Sequence, residues 1–348
     1  MKKYICLFSL LLWSCIDPYE VIIEEGPQLL TIEGMITSGP GPHKVKLTRT
    51  DTYGSIYEGL IRPVSGATVI VRDDSGKVIF LTEDLENRGD YLSPEDFSAE
   101  IGNSYTLQIQ LIEGKVYTSL PEKVAPVPEI QNVNYKIQKI PIEGELNPAS
   151  GVQFTVDIKD PIDEDNFYYW KKGPSVYILE TRPDLYTEPP PSRAPAPKEC
   201  CVACFRTEQV SNNSIFIAQD DNFNGLSTRI PAAFVLDNGL RFVNRYRIDL
   251  KQYSISSGAY RFLRLVKQQV ELNGSVFDPP PANIRGNMIS LDNPDEVVLG
   301  YFMAAGERIE RVYVDATKLD FVQPKAIIAD DCREVEGAQT DMPSDWNP

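Results

Sequence analysis

The sequence predicts a mainly β protein, in which a β-sandwich is followed by a larger β-rich domain that carries one long amphipathic helix. Short segments that alternate apolar and polar residues recur along most of the chain, and this period of two is typical of half-buried strands. Turn residues separate the segments at the short spacing of all-β folds. Only residues 256–274 place apolar side chains at helical spacing.

Composition limits the functions that the chain can have. Its 348 residues are enough for two domains, and its formal net charge of −16 makes nucleic acid a poor partner. The one histidine, His43, excludes a two-histidine metal site and leaves histidine-based hydrolysis with a single residue. We therefore predict that the protein is not an enzyme. His43 follows a turn rich in glycine and proline, so we predict that it lies at the surface.

Residues 1–14 are predicted to be a lipoprotein signal peptide. Two lysines precede an apolar run over residues 4–13, which is too short to span a bilayer. The run ends in Leu12-Trp-Ser-Cys15, which resembles the bacterial lipobox. Cys15 is therefore the predicted lipidation site, and two or more acyl chains on it would anchor the chain stably. The alternative is an ordinary secretory signal in which Cys15 has no role.

Residues 15–27 form a predicted acidic tether. The segment Ile16-Asp-Pro-Tyr-Glu20 resembles the short acidic export signals that send Bacteroidota lipoproteins to the cell surface. That resemblance implies a protein that is lipid-anchored in the outer membrane and faces the cell exterior.

Residues 28–125 are predicted to form the sandwich. Alternating segments predict strands at residues 30–36, 44–48, 67–71, 77–81, 105–111 and 116–118. Residues 63–71, followed by Gly76, Gly89-Asp-Tyr91 and residues 102–107, resemble the carboxypeptidase-regulatory-like module. The resemblance implies an Ig-like sandwich of the pre-albumin type, which serves as a non-catalytic spacer or adhesive element.

Residues 126–348 are predicted to form the larger β-rich domain. The proline-punctuated segment 121–128 is interpreted as the linker, and six prolines between residues 182 and 198 predict a long exposed loop. Strands are predicted at residues 152–158, 167–170, 176–179, 214–217, 246–250, 297–302 and 311–314.

The one predicted helix begins at Ser256 or Ser257, either of which can cap it, and ends at Asn273-Gly274. Its apolar stripe consists of Ala259, Phe262, Leu263, Val266 and Val270. The cations Arg261, Arg264 and Lys267 lie mostly off the stripe. They are interpreted as a solvated face, with an anion or lipid-headgroup site as the alternative.

Four cysteines remain after the predicted signal and lipidation site: Cys200, Cys201, Cys204 and Cys332. In an exported chain they indicate two disulfides. A bridge between the neighbours Cys200 and Cys201 would be strained, so one member of the cluster is expected to reach Cys332. The alternative is a four-cysteine zinc site, which lacks the usual second Cys-x-x-Cys pair.

Two patterns of oxygen-bearing side chains are candidates for metal binding or catalysis. Asp220, Asn222 and Asn224, with Gly225, match the start of a calcium loop, but Pro231 occupies the twelfth position, so we favour a polar turn and expect no metal and no cofactor. Carboxylate pairs such as Asp163 with Asp165, or Asp292 with Asp295, leave a glycan-active hydrolase as an alternative function.

The order of motifs along the whole chain resembles the lipoprotein family called domain of unknown function forty-two forty-nine. The motifs are Cys15-Ile-Asp-Pro-Tyr19, Gly66-Ala-Thr-Val69, residues 273–287 and residues 298–302. The resemblance implies an outer-membrane lipoprotein encoded near TonB-dependent receptors, and hence an accessory or substrate-capture partner of such a β-barrel transporter. A stand-alone glycan-binding or adhesion module is a further alternative.

The stretch that follows the predicted helix is too rich in proline to be a regular helix or strand. It is either a packed corner or a rigid loop that docks a partner. The docking hypothesis assigns contacts to Phe277, Pro279, Pro280, Pro281, Asn283 and Arg285.

Overall fold

The computed structural model of the chain describes residues 28–50, 62–141, 148–162, 164–196, 201–209, 214–271, 284–319 and 326–348. The protein is mainly β, as the sequence predicts, and the described residues contain one α-helix. The predicted signal peptide, Cys15, Cys200 and most of the predicted docking loop lie outside the described residues.

The first half consists of short strands whose residues alternate between buried and exposed. They are β1 (Leu30–Thr37), β2 (Lys44–Arg49), β3 (Arg62–Pro63), β4 (Thr68–Asp73), β5 (Val78–Glu83), β6 (Asp90–Leu92), β7 (Ser104–Gln110), β8 (Val116–Ser119) and β9 (Glu122–Lys123). The order β8-β7-β4-β5 and the order β6-β2-β1 enclose a common core, which is consistent with the predicted sandwich. Core positions recur every second residue, as in β1, where Leu30, Ile32 and Ile36 point inward.

The second half has longer strands and the helix. The elements are β10 (Ile130–Ile140), β11 (Ala149–Lys159), β12 (Phe167–Glu180), β13 (Ala203–Glu208), β14 (Phe216–Gln219), β15 (Ser227–Leu236), β16 (Arg245–Ser254), α1 (Ser257–Val270), β17 (Met288–Ser290), β18 (Leu299–Asp315) and β19 (Ala338–Gln339). Strands β10, β11 and β15 form a separate sheet. Its apolar side chains share a core with those of β12, β16 and β18.

Strand β18 joins the two halves. Its first part pairs in parallel with β1, from Thr31 opposite Leu299 to Thr37 opposite Ala305. Its second part pairs antiparallel with β16, from Ser254 opposite Gly306 to Arg245 opposite Asp315. The neighbouring order β2-β1-β18-β16-β12 therefore runs across the boundary as one sheet.

The prediction of two separate strands in this region was wrong. Residues 299–302 and 311–314 belong to one 17-residue strand, and Val297 and Val298 precede it. The intervening Ala304-Ala305-Gly306 has little intrinsic β propensity, but strands on both sides supply its hydrogen-bond partners, and such pairing overrides local preference. Strand β12 likewise merges two predicted strands, with a register shift between Lys172 and Ser175.

Helix α1 begins as predicted. The Ser256 hydroxyl accepts a hydrogen bond from the main-chain N–H of Ala259 at 3.0 Å, which is the geometry of an N-cap. Ala259 and Leu263 are buried, while Arg261 and Arg264 are exposed. The helix ends at Val270, and Asn273-Gly274 lies outside the described residues. No helix among the described residues has the length and apolar character needed to cross a membrane.

Segment 121–128, interpreted from the sequence as a linker, is packed into the fold. It contains β9, which pairs with β7. Val124 is fully buried and Glu122 is 4% exposed. The connection between the halves therefore contributes to the junction itself.

The predicted bridge between the cysteine cluster and Cys332 is confirmed. Cys204 on β13 is bonded to Cys332, with their Cα atoms 5.8 Å apart, and both residues are fully buried. The main-chain N–H of Cys332 also donates to the carbonyl of Cys201 at 3.2 Å. The C-terminal segment is thereby fixed to the second half.

Candidate functional site

A groove of about 740 Å³ lies on the sheet that joins the two halves. It occupies the side of β1 opposite to the sandwich core, because Glu33, Met35 and Thr37 alternate with the core residues of that strand. Helix α1 and the turn before β2 form its walls. The lining comprises Glu33, Gly34, Met35, Thr37, Pro40, Pro42, His43, Lys44, Lys46, Lys171, Lys251, Tyr253, Phe262, Val266, Gly300, Tyr301, Met303 and Glu307.

The apolar part of the lining comes from three elements. Met35 on β1 lies directly opposite Met303 on β18. Phe262 and Val266 of α1 also line the groove, and the Phe262 ring lies 5.0 Å from the ring of Tyr301. These contacts exist only because β18 and α1 return to the N-terminal strand.

A buried carboxylate, Glu307, lies among the charged residues of the groove. It accepts hydrogen bonds from the Thr37 hydroxyl and, at 3.4 Å, from the Tyr253 hydroxyl. Lys251 Nζ lies 3.3 Å from Glu307 Oε1. Burial and the nearby Glu307 charge raise the pKa of Tyr253, so its hydroxyl stays protonated and can donate.

Gly39 allows the turn before β2 to approach this carboxylate. A Cβ atom at position 39 would collide with Glu307 Oε2. The main-chain N–H of Glu307 donates to the Ser38 hydroxyl at 2.9 Å. The turn and β18 are therefore held together at the groove.

His43 is buried, so the prediction of a surface histidine was wrong. The residue is 7% exposed, and its ring lies edge-on to Phe97 at 5.7 Å. Its main-chain N–H donates to the Ser93 hydroxyl at 2.8 Å, so the segment after β6 covers the side that the sequence left open. Its Nε2 atom has no hydrogen-bond partner among the described residues. Burial lowers the pKa of His43 although the Glu307 charge opposes this effect.

The histidine gives a direct test of the groove. Because His43 is the only histidine, a single imidazole signal should titrate in the NMR spectrum, with a midpoint below the ordinary 6.5. Glu307→Gln should lower the midpoint further, since the carboxylate charge raises it. Lys251→Met should raise it, since the ammonium charge lowers it. The control Lys77→Met, outside the lining, should leave it unchanged. A wild-type midpoint at or above 6.5 would contradict the buried placement.

A second buried carboxylate, Glu122, lies at the junction below the groove. It accepts hydrogen bonds from the hydroxyls of Tyr301 and Ser256, each at 2.6 Å, and from Asn287 Nδ2 at 3.3 Å. Asn287 in turn exchanges two hydrogen bonds with the main chain of Phe302. Burial raises the pKa of Glu122 against the opposing effect of these donors. This network connects β9, the start of α1 and β18.

The weakly matching calcium loop is a turn in the structure. The Asp220 carboxylate accepts a hydrogen bond from the Asn166 main chain at 2.8 Å, and Asn224 donates its side-chain amide to the Glu164 carbonyl at 3.5 Å. Asn222 is exposed. No group of three His, Cys, Asp or Glu residues in the described part of the chain could hold a metal ion.

The other predicted site residues that belong to the described ranges do not line the groove. Arg285 is exposed, and the remaining residues assigned to the docking loop lie outside the described ranges. Asp292 accepts a hydrogen bond from the Val116 main chain at 2.9 Å, and Asp163 is not described. The disulfide lies in the second half, on β13.

The fold and the groove define a class of protein: a β-rich chain of two halves with a ligand-sized groove where they share a sheet. The chain belongs to a family described as a domain of unknown function, DUF4249, whose model matches residues 16–311. The family resemblance seen in the sequence is thus confirmed, and the matched span includes every groove residue. No curated protein and no solved structure matches the chain.

Sequence reasoning missed the groove because its residues come from distant segments. Lys251 and Tyr253, for example, stand on the face of β16 opposite to the core residues Ile248 and Leu250. The alternation of apolar and polar residues in these strands did show that one face of each strand carries polar side chains. Nothing local showed that the faces of β1, β16 and β18 would adjoin.

Proposed function

We propose that the chain is a lipid-anchored, surface-exposed lipoprotein of the outer membrane that captures a solute for a TonB-dependent β-barrel transporter. The groove is the observation that carries this proposal. Its volume of about 740 Å³ lies within the usual range for small-molecule sites, about 300–1,000 Å³. It combines apolar and charged side chains, as binding sites do.

Binding is favoured over hydrolysis by the surroundings of the groove carboxylate. Glu307 has partners on both oxygens, from Thr37 on one and from Lys251 and Tyr253 on the other. A hydrolase would need a second carboxylate free to act across the substrate, but the other carboxylate of the lining, Glu33, stands directly opposite Lys46 in the register of β1 and β2. The arrangement therefore supports a positioning role for Glu307.

The anchor is supported by the lipobox at Cys15 and the acidic tether over residues 15–27. Cys15→Ala should abolish incorporation of labelled palmitate and release the chain from the membrane fraction. Protease added to intact cells should degrade the wild-type chain. Survival of the chain under conditions that digest a known surface protein would refute surface display.

The transporter partnership is tested by co-purification. Affinity capture of the tagged wild-type chain from detergent-solubilised outer membranes should recover a β-barrel protein as its main partner. The matched control is an unrelated outer-membrane lipoprotein with the same tag, which should not recover that barrel. Recovery of no β-barrel by the wild-type chain would overturn the proposed partnership.

A further inference from the structure

The groove holds more positive charge than its neighbours balance. Of its four lysines, Lys44 pairs with Asp90 at 2.9 Å and Lys251 pairs with Glu307 at 3.3 Å. Lys46 and Lys171 form no ion pair within 4 Å among the described residues, and the one further carboxylate of the lining, Glu33, stands opposite Lys46 in the register of β1 and β2. This imbalance occurs in a chain whose formal net charge is −16. A general excess of lysine therefore does not explain it.

Two of these lysines stand directly opposite one another. Lys171 on β12 faces Lys251 on β16 in the strand register. Like charges in such cross-strand pairs are destabilising. Glu307 lies close to Lys251, whereas the Lys171 ammonium lies 5.5 Å above the Tyr169 ring. An anion in the groove would relieve the repulsion that remains.

The apolar part of the lining indicates that the anion also has an apolar group. Met35 and Met303 meet on adjacent strands, and Val266 faces the groove from α1. Methionine side chains adapt to apolar groups of different shape. The two tyrosine rings of the lining are buried, at 4% exposure for Tyr253 and 6% for Tyr301, so they offer a sugar no flat stacking face.

A third observation is independent of the lysines. His43 borders the groove, is 7% exposed, and leaves its Nε2 without a partner among the described residues. Buried polar atoms normally have a hydrogen-bond partner, and each exception calls for an explanation. A polar group of a ligand would supply the partner that this imidazole lacks.

We propose that the groove binds a small organic anion with an apolar body, whose acidic group faces Lys46 or Lys171 and whose body packs on Met35, Met303 and Val266. This inference deepens the proposed function, on which it rests for the role of the ligand in the cell. Binding itself is measured on the isolated chain. If the isolated chain binds no anion, the predicted co-purification with a β-barrel protein is unaffected. If no β-barrel protein co-purifies, the predicted binding of an anion is unaffected.

The test uses two fluorescent probes with the same aromatic frame: the anion 1-anilinonaphthalene-8-sulfonate and the uncharged N-phenyl-1-naphthylamine. The protein is the full chain after signal removal, with Cys15→Ser so that no lipid or detergent is present. The anion should bind at one site per chain and more tightly than the neutral probe. Lys46→Met or Lys171→Met should weaken anion binding by about five-fold, which corresponds to one close charge in water, and leave the neutral probe unaffected.

Two further variants locate the site. Val266→Asp, at a partly exposed helix position, should weaken both probes because it places a charge in the apolar wall. Lys77→Met, an exposed lysine outside the lining, should behave as the wild type. Circular dichroism confirms that each variant is folded. Equal affinity for the two probes, or anion binding that neither groove lysine variant weakens, would overturn the proposal.

Discussion

Replacing both Cys204 and Cys332 with alanine should lower the free energy of unfolding by about 4–5 kcal/mol. The bridge spans 128 residues of sequence, and in the chain-entropy model closing so long a loop removes much of the freedom of the unfolded chain. Both cysteines are fully buried, so alanine introduces no polar group into the core. Urea denaturation of both proteins without reductant measures the difference.

The double variant is preferable to adding a reductant, because a reductant acts on every cysteine in the chain. A double variant within about 1 kcal/mol of the wild type would show that the denatured chain is compact enough to lose little entropy from the bridge.

The parts of the fold that the sequence predicted are those with local causes. Strand β7 alternates buried residues with partly or fully exposed ones over its whole length, and the Ser256 cap precedes an apolar stripe at helical spacing. The strain expected in a bridge between neighbouring cysteines indicated that one cysteine of the cluster is bonded to Cys332. Each of these conclusions required only residues close together in sequence, or cysteines, whose bonding options are few.

The groove depends on pairings that no local pattern encodes. Thr37 and Glu307 are 270 residues apart, and they meet because β1 pairs in parallel with β18. His43 follows a turn that in isolation would be exposed, but the segment containing Ser93 covers it. The register of distant strands decides which polar faces adjoin, and register is a property of the complete sheet.

Glu122, in the first half, stabilises the junction between the two halves by accepting hydrogen bonds from side chains of the second half. Its carboxylate is the common acceptor for Tyr301, Ser256 and Asn287. Tyr301 also lines the groove. Removal of the carboxylate therefore leaves several buried donors unpaired, on the strand and the helix that together shape the groove.

Glu122→Ala should destabilise the protein by about 3–5 kcal/mol, because removing one member of a buried polar network leaves its partners unsatisfied. Glu122→Gln should lie within about 1 kcal/mol of the wild type at pH 7, since its amide oxygen still accepts from Tyr301 and its shape is unchanged. Urea denaturation measures both variants, and a glutamine variant as unstable as the alanine variant would contradict the account.

The pH dependence of stability distinguishes the effect of the Glu122 charge from the effect of its shape. Burial raises the pKa of Glu122 in the folded state above its ordinary value of 4.5, so the folded protein binds this proton more tightly than the unfolded chain does. The resulting stabilisation is complete below about pH 4.5 and is lost as pH rises through the folded-state pKa. Glutamine has no such proton to lose. The free energy of unfolding of Glu122→Gln relative to that of the wild type should therefore increase from pH 4 to pH 8. A difference that stays constant over this range would show that burial does not raise the pKa of Glu122.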